Sequence, residues 1–67
     1  MHAGRPFGVI LIVEDEWLLR DQAVASFKEA GWDVLEAGTA EGALQHLEAA
    51  GDQIHAVFTD IALSGYL

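Results

Sequence analysis

The chain has 67 residues, with 11 acidic and three basic side chains and a formal charge of −8. This length allows one small domain with a marginal core, and the acidic balance disfavours nucleic acid and anionic membrane surfaces as partners. The chain has no cysteine, which excludes disulfides and thiolate metal sites, and no stretch reaches the roughly 20 apolar residues of a membrane span. We therefore expect a soluble cytoplasmic protein.

The first predicted strand and helix follow a lead over residues 1–8 that contains glycine and proline. Val9 to Val13 is a continuous aliphatic run, which is typical of a strand covered on both faces in a parallel sheet. Apolar residues then recur at spacings of three and four and predict a helix over 17–30, with Gly31 as a left-handed cap at its carboxyl end. The apolar positions of this helix are Leu19, Ala23, Val24, Phe27 and Ala30.

Two further strands and one helix are predicted after Gly31. Residues 32–37 read as a short strand, and Thr39 is suited to be the N-cap of a helix over 40–50. The apolar stripe of this helix is Ala43, Leu44 and Leu47. Gly51 and Asp52 end the helix. Residues 54–59 predict a third strand, and Asp60 stands at its exit.

The order β-α-β-α-β indicates an α/β fold with a parallel sheet and right-handed crossovers. We expect the strand order 2-1-3, with the two helices on opposite faces of the sheet. The crevice beyond the carboxyl ends of the first and third strands is then the switch point where doubly wound sheets bind ligands. Glu14 and Asp15 leave the first strand at this edge, and Asp60 leaves the third strand there.

These residues resemble the receiver domain of bacterial two-component response regulators. The segment "ILIVEDE" resembles its first strand and acidic pair, "AGWDVLEAGTAEGAL" its second strand and helix, and "VFTDIALSG" its third strand with the phosphoacceptor aspartate. The resemblance implies a flavodoxin-like doubly wound sheet. Residues 9–67 match only the N-terminal half of such a domain, truncated to β-α-β-α-β.

By this resemblance, Asp60 accepts a phosphoryl group from a sensor histidine kinase with the help of Mg²⁺. The family pattern implies that Mg²⁺ is held by Glu14, Asp15, Asp60 and the backbone carbonyl of Ala62. We expect Asp15 and Asp60 to ligate the ion directly and Glu14 to act partly through water. A carboxylate can act as a covalent nucleophile toward phosphorus, and a divalent ion relieves the repulsion among three converging acids. The chain is then a phosphoprotein of signal transduction and not an enzyme.

The sequence departs from the receiver pattern in two respects. Ser64 stands where many members have proline, so we expect a less rigid loop after the third strand. Strands 4 and 5 of the family are missing, and with them the hydroxyl residue and the lysine that contact the phosphoryl group. We therefore expect the 67-residue form not to be competent alone.

Two other functional classes stay open. One is a half-receiver that has lost phosphorylation and acts as an interaction module, forming a homo-oligomer that buries Val57 and Phe58 of the third strand. The other is a Mg²⁺-dependent hydrolase or nucleotidyl enzyme. Haloacid-type phosphatases require Asp-x-Asp after the first strand, where this chain has Glu14 and Glu16. Toprim-type sites require Asp-x-Asp on a later strand, where this chain has Asp60-Ile-Ala.

Several remaining polar and aromatic residues have simpler structural interpretations. Glu16 is predicted to be a first-turn helix acid, stabilised by the helix dipole. His46 and His55 are expected to be structural or partly exposed side chains. Trp17 and Trp32 are expected to pack at the start of a helix and of a strand.

Overall fold

A computed structural model of the chain describes residues 7–59. The order of elements is the predicted β-α-β-α-β, with one short 3₁₀ turn added before the last strand. The elements are β1 (Val9–Val13), α1 (Trp17–Glu29), β2 (Asp33–Ala37), α2 (Ala40–Ala50), the 3₁₀ turn (Gly51–Gln53) and β3 (Ala56–Thr59). Within the described residues, no helix is long and apolar enough to cross a bilayer.

The three strands form one parallel sheet in the order β2-β1-β3, which confirms the predicted topology. In β1, Val9 pairs with Asp33 and Val13 pairs with Ala37 of β2. On the other side of β1, Val13 pairs with Thr59 of β3. The carboxyl ends of all three strands therefore meet at one edge of the sheet, as in the first half of a flavodoxin-like fold.

The aliphatic run of β1 forms the centre of two apolar layers. Successive side chains of a strand point to opposite faces, so Ile10 and Ile12 pack with Val24 of α1, whereas Leu11 and Val13 lie in a cluster on the other face. Ala43 of α2 packs against that second cluster. The two helices thus lie on opposite faces of the sheet, as predicted, and β1 must be apolar at every position.

Helix α1 ends in a Schellman motif built on Gly31. The helix ends at Glu29, with Ala30 as its C-cap, and Gly31 has φ 103°. The Gly31 N–H donates to Lys28 O at 3.0 Å, and the Trp32 N–H donates to Phe27 O at 3.0 Å. These two bonds are the pair that defines the motif. The Phe27 and Trp32 rings meet edge to face at 6.3 Å, which supplies its apolar contact, and the predicted left-handed cap is confirmed.

Helix α2 has the predicted bounds and the predicted N-cap. Thr39 Oγ1 accepts a hydrogen bond from the Gly42 N–H at 2.9 Å, which satisfies one of the free amides of the first turn. At the other end, Gly51 has φ −57°. Because this conformation is right-handed, the chain continues into the 3₁₀ turn and does not reverse as it does at Gly31.

Strand β3 begins at Ala56, two residues later than predicted. The preceding residues are engaged in other hydrogen bonds, since the Ile54 N–H closes the 3₁₀ turn on Gly51 O at 3.2 Å. The Val9 N–H donates at 3.0 Å to His55 Nδ1. The His55 N–H donates back to Val9 O at 2.8 Å, so at this end of the β1–β3 pair the His55 ring takes the place of a backbone acceptor for the Val9 N–H.

The predicted apolar faces of the helices are only partly covered. In α1, Val24 is buried, whereas Leu19 and Ala30 are exposed; in α2, both Leu44 and Leu47 are exposed. A sheet of three strands is too narrow to cover the whole apolar stripe of a helix. Within the described part of the chain, the predicted apolar stripes are therefore buried in part only.

Candidate functional site

The acidic turn lies at the carboxyl edge of the sheet, directly after the central strand. Glu14 and Asp15 follow Val13, which pairs with the last residue of each neighbouring strand. In the sequence, Asp60 is the next residue after Thr59. Asp60 and Ala62, two of the predicted ligands, lie outside the described residues, so the structure places Glu14 and Asp15 of the predicted set.

Glu14 is a buried anchor of this turn, with 3% of its surface exposed. Its carboxylate Oε2 accepts a hydrogen bond from the Glu16 N–H at 3.0 Å. Its backbone N–H donates to Ala37 O of β2 at 3.0 Å, and its carbonyl accepts from Arg20 Nη1 at 2.9 Å. A buried carboxylate is tolerated when hydrogen bonding replaces its hydration. The Glu16 N–H supplies such a bond to the carboxylate, and the other two bonds fix the backbone of the turn.

Asp15 is exposed, in contrast to Glu14. The two neighbouring acids therefore have different local roles: Glu14 holds the turn, and Asp15 is presented to solvent at its tip. An accessible carboxylate beside a rigid backbone is what a cation site open to water requires.

Arg20 and Glu36 belong to this site and were missed by the sequence interpretation. Besides its bond to Glu14, Arg20 donates from Nε to Glu36 Oε1 at 3.3 Å. Glu36 pairs with Ile12 in the sheet register, so it lies on the face that α1 covers. The Glu36 side chain is 48% exposed, but an acid on that face can pair with a cation from α1, and this is the signal from which Arg20 could have been found.

Gly38 leaves the space that the Arg20 guanidinium occupies. A Cβ at this position would lie 2.8 Å from Arg20 Nη1 and 3.9 Å from the Glu14 carbonyl oxygen. A side chain at residue 38 would therefore have to displace the Arg20 guanidinium, whereas its distance from the Glu14 backbone is an ordinary contact.

The donor chemistry of the predicted set suits Mg²⁺, since all of its ligands are oxygen atoms. Within residues 7–59, no group of three or more acidic, histidine or cysteine side chains is arranged to hold a metal ion. Glu14 and Asp15 could supply two carboxylates. Asp60, which follows Thr59 in the sequence, would supply a third carboxylate.

The two histidines of the described part make structural contacts. His46 Nε2 lies 2.9 Å from the Glu36 carbonyl, and because a carbonyl only accepts, Nε2 carries the proton in this bond. His55 Nδ1 accepts from Val9, so this nitrogen is the unprotonated one. These contacts agree with a structural role for both residues.

Glu16 and Trp17 differ from their sequence interpretations. Glu16 is the N-cap residue of α1 and not a first-turn acid, and it makes no side-chain cap bond. Trp17 is 67% exposed, so it does not pack at the helix start. Trp32, by contrast, packs against Phe27 and Phe7 as expected.

Comparison with known proteins adds no relative to this description. No protein-family model matches the chain, and no curated protein and no solved structure matches it significantly. The receiver resemblance of the sequence therefore stays a prediction.

Proposed function

We propose that the chain is the N-terminal half of a response regulator receiver domain, whose Asp60 accepts a phosphoryl group from a sensor histidine kinase. The pairing of Val13 with Thr59 is the observation that carries this proposal. Because these paired residues are followed by Glu14 and Asp60, respectively, the acidic turn and the proposed acceptor leave adjacent strands at the same edge. The fold of residues 7–59, with order β2-β1-β3, is the one the proposal requires.

The proposed reaction is a displacement at phosphorus. A carboxylate oxygen of Asp60 attacks the phosphorus of a phosphohistidine, so that a P–O bond forms as the P–N bond breaks. The imidazole leaves with the electron pair of the P–N bond and takes up a proton from solvent. Glu14, Asp15, Asp60 and the Ala62 carbonyl would hold Mg²⁺, which when bound neutralises charge on the phosphoryl oxygens.

In this proposal, residues of the chain itself bind the cation and orient its ligands. The hydrogen bonds of Glu14 fix the turn, and Asp15 is exposed beside it. Trp17 and Leu18, immediately after the acids, are also exposed on α1. Exposed apolar side chains next to a reactive site suit protein docking, and the net charge of −8 disfavours nucleic acid and anionic membrane surfaces. Together these features favour a protein donor such as a histidine kinase.

Labelling with acetyl phosphate or a histidine kinase tests the proposal in a chain extended by the missing receiver strands. We expect one phosphoryl group per chain, released by base as an acyl phosphate is, and lost in Asp60→Ala. Asp52→Asn is the matched control, because Asp52 is an exposed acid in the 3₁₀ turn before β3. Labelling that survives Asp60→Ala, or that lies on Ser64, contradicts the proposal. The 67-residue chain alone should label poorly.

The second candidate function is a self-associating half-receiver without phosphorylation. It is favoured by β3, which has β1 as its only strand neighbour among the described residues. Val57 and Phe58 of this edge strand are 51% and 40% exposed, and Ala56–Thr59 carries no charge. Natural sheets protect free edges with charges, proline or bulges, so an uncharged apolar edge suits pairing with a second copy.

Sedimentation at micromolar concentration tests this candidate. We expect a dimer or larger assembly that Val57→Lys dissociates, since a lysine on an edge strand opposes pairing. Leu44→Lys is the control, because Leu44 is similarly exposed on α2, away from this edge. A compact monomer in the unsubstituted chain excludes self-association as its function.

A further inference from the structure

We infer that Arg20 is a positioning residue of the proposed cation and phosphoryl site, acting through the backbone of the acidic turn. The inference rests on the function proposed above. Arg20 donates one hydrogen bond to the Glu14 carbonyl and a second to the Glu36 carboxylate. It thereby ties the turn that presents Asp15 to helix α1 and to strand β2 at once.

The contact with Arg20 completes the hydrogen bonding of Glu14. The Glu14 N–H is held by β2 and the carboxylate by the Glu16 amide, which leaves the carbonyl to be fixed by the guanidinium. Orientation of a ligand by outer partners changes metal affinity strongly, since a misdirected ligand binds less well. Without Arg20, the peptide between Glu14 and Asp15 loses its only described hydrogen bond from α1.

Glu36 neutralises the charge of Arg20, so that this cationic side chain can lie beside a proposed cation site. A guanidinium close to Glu14 and Asp15 would by itself repel Mg²⁺ or Mn²⁺, because like charges disfavour each other. Glu36 Oε1 lies 3.3 Å from Arg20 Nε, so the pair carries no net charge. The same contact also fixes the orientation of the guanidinium, leaving Nη1 directed at the Glu14 carbonyl.

The space at Gly38 gives a second way to perturb this contact. A Cβ there would approach Arg20 Nη1 to 2.8 Å, so Gly38→Ala must displace the guanidinium while leaving Arg20 and both acids in the sequence. Gly51→Ala is the matched glycine control, since a Cβ at Gly51 meets no atom within 4 Å.

Substitution of Arg20 distinguishes a positioning role from a purely electrostatic one, because the two roles predict opposite changes in cation affinity. If Arg20 acted only through its charge, Arg20→Gln would strengthen cation binding by removing repulsion. If Arg20 positions the turn, Arg20→Gln weakens cation binding. Arg20→Lys should weaken it too, because a lysine ammonium lacks the planar fork that serves the Glu14 carbonyl and Glu36 together.

The experiment is a Mn²⁺ titration of the 67-residue chain, followed by paramagnetic broadening of its amide NMR signals. We expect the apparent Kd for Mn²⁺ to rise about 10-fold in Arg20→Gln, as for other residues that orient metal ligands, and to rise also in Arg20→Lys and Gly38→Ala. Gly51→Ala should bind like the unsubstituted chain. An unchanged or lower Kd in Arg20→Gln overturns the inference and leaves the proposed function intact.

Hydrogen exchange in the metal-free chain provides a readout that does not depend on the proposed function. We expect the Glu16 amide, which is held by the Glu14 carboxylate, to exchange faster in Arg20→Gln and in Gly38→Ala, while the Val24 amide within α1 keeps its protection. Unchanged exchange at Glu16 overturns the role of Arg20. Failure of the unsubstituted chain to bind Mn²⁺, with faster exchange in the variants, instead contradicts the proposed cation site.

Discussion

Substitution of Gly31 by alanine should destabilise the protein, whereas the same change at Gly51 should stabilise it. Gly31 has φ 103°, a left-handed conformation that costs an L-residue with a Cβ roughly 1–2 kcal/mol. Alanine also restricts the unfolded chain, which favours folding by roughly 0.4–1 kcal/mol. The two effects leave a net loss of about 1 kcal/mol for Gly31→Ala.

Gly51 lacks the first of these two effects. Its φ is −57°, which alanine adopts freely, and an added Cβ meets no atom within 4 Å. Gly51→Ala should therefore gain about 0.4–1 kcal/mol from the unfolded state alone. Because the unfolded-state effect is common to both variants and cancels, they should differ by about 1–2 kcal/mol.

Urea unfolding followed by far-UV circular dichroism, at one fixed protein concentration, measures this difference. In a thermal scan, each 1 kcal/mol corresponds to roughly 4–8 °C for a domain of this size. Equal stability of the two variants, or a Gly31→Ala chain as stable as the unsubstituted one, would show that the Schellman motif at the end of α1 is wrongly assigned.

The remaining predictions concern hydrogen bonds at helix starts and at the acidic turn. Thr39→Ala should cost about 1 kcal/mol in urea unfolding because the Gly42 amide loses its cap, and Thr39→Ser should restore most of it; equal losses in both would refute the cap. Glu14→Gln keeps an oxygen acceptor for the Glu16 amide, so it should retain stability while weakening Mn²⁺ binding. Glu14→Ala should weaken Mn²⁺ binding and also lower the free energy of unfolding by about 1–3 kcal/mol. Asp15→Asn, at an exposed position, should unfold at the unsubstituted urea midpoint and bind Mn²⁺ more weakly; unaltered binding would remove Asp15 from the ligand set.

Local sequence signals predict the elements of this fold well where the physics is itself local. The continuous run of β1 reports burial on both faces, and Gly31 and Thr39 mark helix ends by the conformation and hydrogen bond that each residue type favours. Each of these features depends on a few neighbouring residues. The strand order is less local, because right-handed crossovers place the two helices on opposite faces only once β2 and β3 are assumed to flank β1.

Features that depend on contacts between distant elements were missed. Periodicity identifies the apolar face of α2, but it does not report that three strands leave Leu44 and Leu47 exposed. The Arg20–Glu36 pair depends on the register that sets Glu36 beside Ile12. The contacts at the start of β3 include the bond from Val9 to the His55 ring, which strand propensities do not predict because it joins distant residues.

The sequence predicts where the acids of the candidate site lie, but not the burial and hydrogen bonds that distinguish Glu14 from Asp15. Glu14 and Asp15 are adjacent and chemically similar, and both were predicted as cation ligands. The structure buries Glu14 in hydrogen bonds and exposes Asp15. That difference arises from the Glu16 amide, the Ala37 carbonyl and Arg20, none of which is visible in the acidic motif.

We propose that the acidic turn and Asp60 form one cation site. Paramagnetic broadening by Mn²⁺ in the unsubstituted 67-residue chain tests this claim. We predict that the Asp15 and Asp60 amides broaden together, with one apparent Kd, and that Asp15→Asn and Asp60→Asn each weaken broadening at both positions. Broadening confined to one of the two segments, or two segments that respond with separate affinities, would contradict the claim.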